Sequence, residues 1–196
     1  LCNQLIWSAV AFGKSEKSPE NPRLIIILVD MSDSANEVRR TVCKEAFEKV
    51  YQNLRQGDRV VVGTITSRSY IEFKPTVDAE IPKQTIWDNR LQFEKKLANA
   101  KEKIRGETNK LLSRERGTML TEILDSLNIA DIIFHDEKER QKILVLLSDM
   151  IEDSKGYNFE KDKITDEYID KVIRDRQKDK LIPDFNGVKV YVAGAS

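Results

Sequence analysis

Apolar and polar positions along this chain fall into blocks that switch between two periods. Leu24–Asp30 (LIIILVD) is an unbroken, mostly branched apolar run closed by an acid, which predicts a strand buried on both faces, as central parallel strands are. From Asn36 to Leu54 the period lengthens. Val38, Val42, Ala46, Val50 and Leu54 recur every four residues, flanked by Cys43, Phe47 and Tyr51, and predict a helix with one broad apolar stripe, stopped by Gly57. Arg59–Thr66 (RVVVGTIT) returns to a buried strand. Tyr70–Phe73 follows so closely that it is expected to pair antiparallel with that strand, at the edge of a sheet. Pro75 and Pro82 then break regularity ahead of a long charged helix, about Trp87 to Leu112, with Phe93, Leu97, Ala100, Ile104 and Leu111 as a narrow seam and Trp87 as its expected anchor on the domain. A helix from about Thr121 to Phe134 turns Ile123, Leu124, Leu127, Ala130 and Phe134 inward. Lys142–Asp149 (KILVLLSD) is a further strand buried on both faces and ending in an acid. A helix over roughly Thr165–Lys180, with Ile169, Val172 and Ile173 inward, leads to a last strand at Val188–Ala193 (VKVYVA). The order β-α-β-β-α-α-β-α-β, without internal repeat, predicts an α/β domain: a doubly wound, mostly parallel central sheet with helices on both faces and one antiparallel edge strand.

Composition narrows the function classes. The 196 residues suit one domain, and 40% hydrophobic content suffices for one core. Lysine plus arginine number 33 and aspartate plus glutamate 33, so no electrostatic surplus favours a polyanion, and nucleic-acid binding is not expected. Lys95, Lys96, Lys101, Lys103 and Arg105 alternate with Glu94 and Glu102, the pattern of a solvated helix face. Two cysteines, Cys2 and Cys43, make no disulfide framework and no zinc motif; Cys43 lies on an apolar stripe and reads as a small buried hydrophobe. Any metal site must therefore use oxygen ligands.

The termini carry their own expectations. Residues 1–13 (LCNQLIWSAVAFG) are uncharged, and the run Leu5–Phe12 with its small residues reads either as the remnant of a secretory signal peptide or as a buried terminal strand or short helix. It is too short to span a bilayer. The signal reading places the protein outside the cytoplasm, in the periplasm or beyond; the other leaves a cytoplasmic location open. Residues 14–22, with Pro19 and Pro22, form a linker, and residues 23–196 the domain. A parallel strand such as Val188–Ala193 is normally covered by a following helix, so the domain is expected to lack its last helix in this chain.

In open α/β sheets ligands bind outside the carboxyl ends of the strands. There the first strand delivers Asp30, Ser32, Asp33 and Ser34, and the strand at 142–148 delivers Ser148 and Asp149. Two carboxylates among hydroxyls suit a hard divalent cation, magnesium or manganese: the acids supply affinity, and the neutral oxygens fill the coordination sphere. Aspartate and serine are also ordinary helix caps, and Ser34 is placed to cap the helix starting near Asn36.

The spacing D-x-S-x-S at Asp30, Ser32 and Ser34 resembles the metal-ion-dependent adhesion site of von Willebrand factor A domains, which continues with a threonine and then an aspartate. Asp149, at the end of LLSDM, resembles the last acid. For the threonine, Thr121 opens TEILDSLNIA, similar to a T-D-I-x-x-A-L stretch of bacterial members, while Thr118 after Gly117 resembles a Gly-Thr form; helix phasing favours Thr121. The likeness runs from about Arg23 to Ala193. It departs from the family in the long segment from Pro75 to Arg116, in Met150 where a glycine is common, and in the missing last helix. The resemblance implies a Rossmann-like fold in which Ser32, Ser34 and one threonine bind Mg2+ (or Mn2+) directly, Asp30 and Asp149 directly or through water, and a protein or peptide partner supplies a carboxylate as the last ligand.

That is recognition, and no enzyme is expected. Magnesium phosphatases that use D-x-D would need an acid where Ser32 stands, no phosphate loop or nucleophile elbow occurs, and His135, the sole histidine, ends a helix beside Asp136 and Glu137. The alternatives to a metal-dependent adhesion domain are a metal-independent scaffold or adaptor of the same fold in an intracellular assembly and, third, a magnesium-dependent phosphatase. Glu152 and Asp153 are expected to cap the loop that follows them.

Overall fold

Because every position of Leu24–Val29 is apolar, the strand carrying them can sit only where both its faces are covered, and it forms the centre of the sheet. The computed structural model describes residues 21–32, 37–66, 73–114 and 120–195. Their elements are β1 (Arg23–Asp30), α1 (Glu37–Gln52), β2 (Arg59–Ile65), β3 (Val77–Glu80), α2 (Arg90–Leu112), α3 (Ile123–His135), β4 (Gln141–Leu147), α4 (Asp166–Lys178) and β5 (Val188–Ala193). The five strands lie in the order β3-β2-β1-β4-β5, parallel except for β3, which runs antiparallel to β2. This is the expected doubly wound α/β architecture. On one face Ile25, Ile27 and Val29 pack with Val60, Val62 and Val145 beneath Cys43 and Phe47 of α1 and Ile104 and Leu111 of α2. On the other, Leu24, Ile26 and Leu28 pack with Val61, Leu144 and Leu146 beneath Ile123, Ala130 and Phe134 of α3. The strict odd/even division is the pleat itself, since successive side chains of a strand point to opposite faces.

Several local expectations are corrected. Of the expected strand Tyr70–Phe73, residues 70–72 lie outside the described residues; among those described, the antiparallel edge strand is Val77–Glu80. Its signal was the alternation between the two prolines: Val77 is buried and packs in the core, Ala79 lies against it, and Asp78 and Glu80 point outward to Arg59 and Arg140. Phe73 instead packs on the α3 side, where its ring occupies the space that a side chain at Gly63 would fill. On α1 the buried line is Cys43 and Phe47, with Ala46, Val50 and Tyr51 beside it; Val42 is exposed, and Val38, with 72% of its surface exposed, is far outside. An every-fourth-residue series drifts around a helix of 3.6 residues per turn, which is why its first members leave the core. Trp87 is 89% exposed and anchors nothing; α2 begins after it, where the Asn89 side chain accepts hydrogen bonds from the amides of Leu91 and Gln92. The basic run on α2 is solvated as expected, with Lys95, Lys96, Lys103 and Arg105 exposed; from that face the Arg105 guanidinium lies 5.1 Å from the Tyr51 ring centre and pairs with Glu48 at 3.0 Å, and Lys101 stands 5.9 Å from the same ring. On α4 only Val172 is buried, while Ile169 and Ile173 are exposed, as are Val190, Tyr191 and Val192 of β5.

At the amino end of the sheet the fully buried Asp58 ties β1 to the loop before β2. It accepts from the Arg23 backbone amide at 2.9 Å and the Arg55 amide at 2.8 Å, and forms an ion pair with the Arg23 guanidinium. Removing this carboxylate strands a largely buried arginine and two amides. Asp58→Ala is expected to lower the unfolding free energy by ~3 kcal/mol or more, read as a shift in the urea midpoint; an unshifted midpoint contradicts this role for the pair.

Candidate functional site

The chain path sets one location apart. From β1 it winds outward to β2 and the edge strand β3, then crosses back through α2 and α3 to β4 on the opposite side of β1. The strand order therefore reverses between β1 and β4, and at such a point the flanking connections diverge and leave a crevice at the carboxyl ends of the strands. The last paired residues there are Val29 and Leu147. Asp30 and Ser148 are the next residues on each strand, so the oxygen-bearing side chains sit at the switch point.

Asp30 is 3% exposed. Its Oδ1 accepts the backbone amide of Ser32 at 2.8 Å, and its Oδ2 accepts the hydroxyl of Ser148 at 2.8 Å. The first bond folds the chain after β1 back over its own aspartate; the second joins the two strands. Ser148 in turn accepts the Met150 amide at 2.9 Å, and Asp149 Oδ1 accepts the Ile151 amide at 3.1 Å, so the turn after β4 is organised around its own polar side chains. Met150 takes φ +66°, a left-handed conformation that favours glycine, and its side chain packs toward the α3 face. The glycine-for-methionine difference noted in the sequence thus leaves the backbone turn as a glycine would make it, at a conformational cost of about 1–2 kcal/mol.

Thr121 is buried and enters from a third stretch. Its amide donates to the Asp153 carbonyl at 2.6 Å and its carbonyl accepts from the Asp153 amide at 3.1 Å, while the Glu122 amide donates to the Thr66 carbonyl at 3.3 Å. These bonds fasten the start of α3 between the end of β2 and the loop after β4. Asp30, Ser32 and Ser148 are thus directly linked, Asp149 adjoins them along the chain, and Thr121 is tied to the Asp149–Asp153 loop. Ser34 and Thr118 lie outside the described residues. Among the described residues no three carboxylate, imidazole or thiol groups gather as a metal cluster; the candidate set holds two carboxylates, and its other members are hydroxyls.

Two side chains that the sequence did not single out for these roles shape the site. Arg39 of α1 reaches Asp149, with Nη1 2.5 Å from Oδ2. No local pattern distinguishes it from the neighbouring Arg40, because its partner is 110 residues away. Glu152 also reaches away from the loop that follows it: its Oε2 accepts the Leu124 amide at 3.0 Å, closing the amino end of α3, where Glu122 provides no side-chain cap. His135 ends α3 in an exposed position, and Cys43 is buried, as its stripe predicts.

Neither a protein-family model nor a curated protein matches the chain. Among solved structures it is similar to the von Willebrand factor type A protein from Catenulispora acidiphila, at 16% identity over 88% of this chain and 33% of that one, with a TM-score of 0.49. It is also similar to the pilus adhesin SpaC from Lactobacillus rhamnosus GG in its open conformation, at 18% identity over 69% of this chain and 16% of that one, with a TM-score of 0.45. The chain spans about a third of the first protein's length and about a sixth of the second's. Among the described residues no helix is long and apolar enough to cross a membrane.

Burial pushes the Glu152 carboxyl above the ordinary carboxylate value, outweighing the hydrogen bonds from Leu124, Ser154 and Ile123 that pull it down. A carboxyl whose folded pKa is raised contributes stability at acid pH and loses it as pH climbs through the folded value. Glu152→Gln keeps the acceptor for the Leu124 amide and removes the charge. The variant is expected to melt with the wild type in acid and above it at neutral pH. Parallel melting profiles from about pH 4.5 upward would show that Glu152 is not the titrating group.

Proposed function

We propose that this chain is a von Willebrand factor A-type interaction domain that binds a carboxylate of a protein or peptide partner through a divalent cation, Mg2+ or alternatively Mn2+. One observation carries the reading: the buried carboxylate of Asp30 meets the Ser148-Asp149 turn at the carboxyl ends of two adjacent parallel strands, at the point where the strand order reverses, with Ser32 folded onto the same carboxylate. Asp30, Ser32, Ser34, Thr121 and Asp149 would hold the ion; Ser34 belongs to the set by its spacing alone. The donors are all hard oxygens, and among the described residues each Asp30 oxygen accepts one hydrogen bond, a carboxylate oxygen having capacity for a second. When bound, the ion supplies an electrophilic centre short of one ligand, because two carboxylates and neutral hydroxyls leave it incompletely satisfied.

The chain's own residues do the rest. Ser148 and the Ser32 amide fix the rotamer of Asp30, the Ile151 amide orients Asp149, and the Asp153 bridge to Thr121 fixes the third stretch. The activity is recognition without turnover, and the rim loops select the partner. An exported location, periplasmic or extracellular, belongs to the same proposal and rests on the uncharged opening residues. A second reading, a scaffold or adaptor of this fold that needs no metal, is favoured by the Arg39 guanidinium, which already neutralises Asp149.

Calorimetric titration of Mg2+ and Mn2+ into the wild type and into Asp30→Asn tests the site. The substitution preserves shape and removes the charge, and it is expected to weaken binding by at least ~10-fold. Equal heats in the two proteins would remove Asp30 from any metal site and leave the scaffold reading.

A further inference from the structure

Asp149 has only 2% of its side chain exposed, and Arg39, paired with it, has 16%. A carboxylate so removed from water needs a compensating cation, and an arginine supplies one permanently, since the guanidinium does not deprotonate in proteins. The pairing is accommodated by the surrounding backbone. Gly194, with φ +102°, follows β5 directly; a Cβ there would lie 3.4 Å from Arg39 Cγ and 3.1 Å from the Ser148 carbonyl oxygen. The Ser148 amide donates to the Ala193 carbonyl at 3.0 Å, which holds this bare stretch of backbone against the turn after β4. The arginine stem therefore runs through a channel that a side chain at position 194 would narrow, and its head ends on one of the acids assigned to the ion.

We propose that Arg39 is an internal cation of the site that competes with the divalent ion for Asp149. This rests on the metal reading given above and adds its regulation. In the metal-free protein the guanidinium satisfies Asp149 and keeps the site organised. When the ion binds, two centres of positive charge would face one carboxylate in a poorly hydrated crevice, where repulsion is weakly screened, so Arg39 must withdraw. Metal affinity is consequently held below what the oxygen set would otherwise give. The metal-free domain is spared an uncompensated acid.

The test compares Mn2+ and Mg2+ binding, by calorimetry, and thermal unfolding with and without Mg2+, in the wild type, Arg39→Ala, Arg39→Lys and the double variant Arg39→Ala with Asp30→Asn. Arg39→Ala is expected to bind Mn2+ at least ~10-fold more tightly than the wild type. Without metal it should melt several degrees lower, and Mg2+ should recover most of the loss, a larger metal-induced rise than the wild type shows. Arg39→Lys, which retains the charge, should stay near the wild type in affinity, and it carries the comparison with a shape-matched Arg39→Gln if the alanine variant fails to fold. Wild-type binding with unchanged or weaker binding in Arg39→Ala overturns the competition while leaving the metal reading intact. Absence of binding in every variant overturns both. A gain in Arg39→Ala that persists in the double variant places the ion elsewhere and also overturns the inference.

Discussion

The parallel pairing of β1 with β4 is the constraint from which the rest of the molecule follows. Both strands are apolar along their length, and both change character at their carboxyl ends, where the next residues are acids and hydroxyls. Their register brings Val29 opposite Leu147, and the hydroxyl-to-carboxylate bond from Ser148 to Asp30 closes the pair just beyond the last apolar rung. The apolar run needs cover on both sides, which calls for helices on both faces. A sheet wound to both sides of β1 must have a reversal of strand order next to it. Core and crevice are consequences of one pairing.

The same pairing explains the unequal quality of packing across the sheet. The central strands are sealed by α1 and α2 on one face and by α3 on the other. The outer strands are not: β3 is short and turns acids outward to arginines, whereas β5 leaves Val190, Tyr191 and Val192 exposed. α4, with one buried apolar residue, is held to α3 mainly through Arg176, which donates to Asp125 at 2.6 Å and to the Leu124 carbonyl at 3.1 Å. Charge also organises the two ends of the sheet differently. At the amino end the Asp58 and Arg23 pair is saturated by backbone amides and serves the fold. At the carboxyl end the acids stand where the strand order reverses, and among the described residues their partners include a serine, turn amides and Arg39.

Much of this was legible in the chain because its signals are local. Every element except β3 was foreseen in order, since continuous apolar runs and helical stripes are read within a window of ten to twenty residues. The misreadings share a cause: each concerned which side of an element meets a neighbour. Val77–Glu80 is a short segment between two prolines, and only its pairing with β2 marks it as the edge strand. Val38 and Val42 look like the start of a buried stripe, but the sheet meets α1 along Cys43 and Phe47. Trp87 carries the largest apolar surface near α2, yet the Asn89 cap starts the helix after it and leaves it in solvent.

For the site, the sequence alone determined which oxygen-bearing side chains stand where the strands end: an acid at the end of each of two buried strands, with hydroxyls close by. Those are properties of residue type and of strand length, and they need no neighbour. Only the tertiary structure decided what each acid touches. The bond from Ser148 to Asp30 spans 118 residues of chain and the one from Arg39 to Asp149 spans 110, while the Glu152 carboxylate reaches back 28 residues to cap a helix already passed. Such contacts depend on strand order and on the face to which each helix is assigned. Both are outcomes of competition among many apolar surfaces for the same core, and no short stretch of sequence records the result.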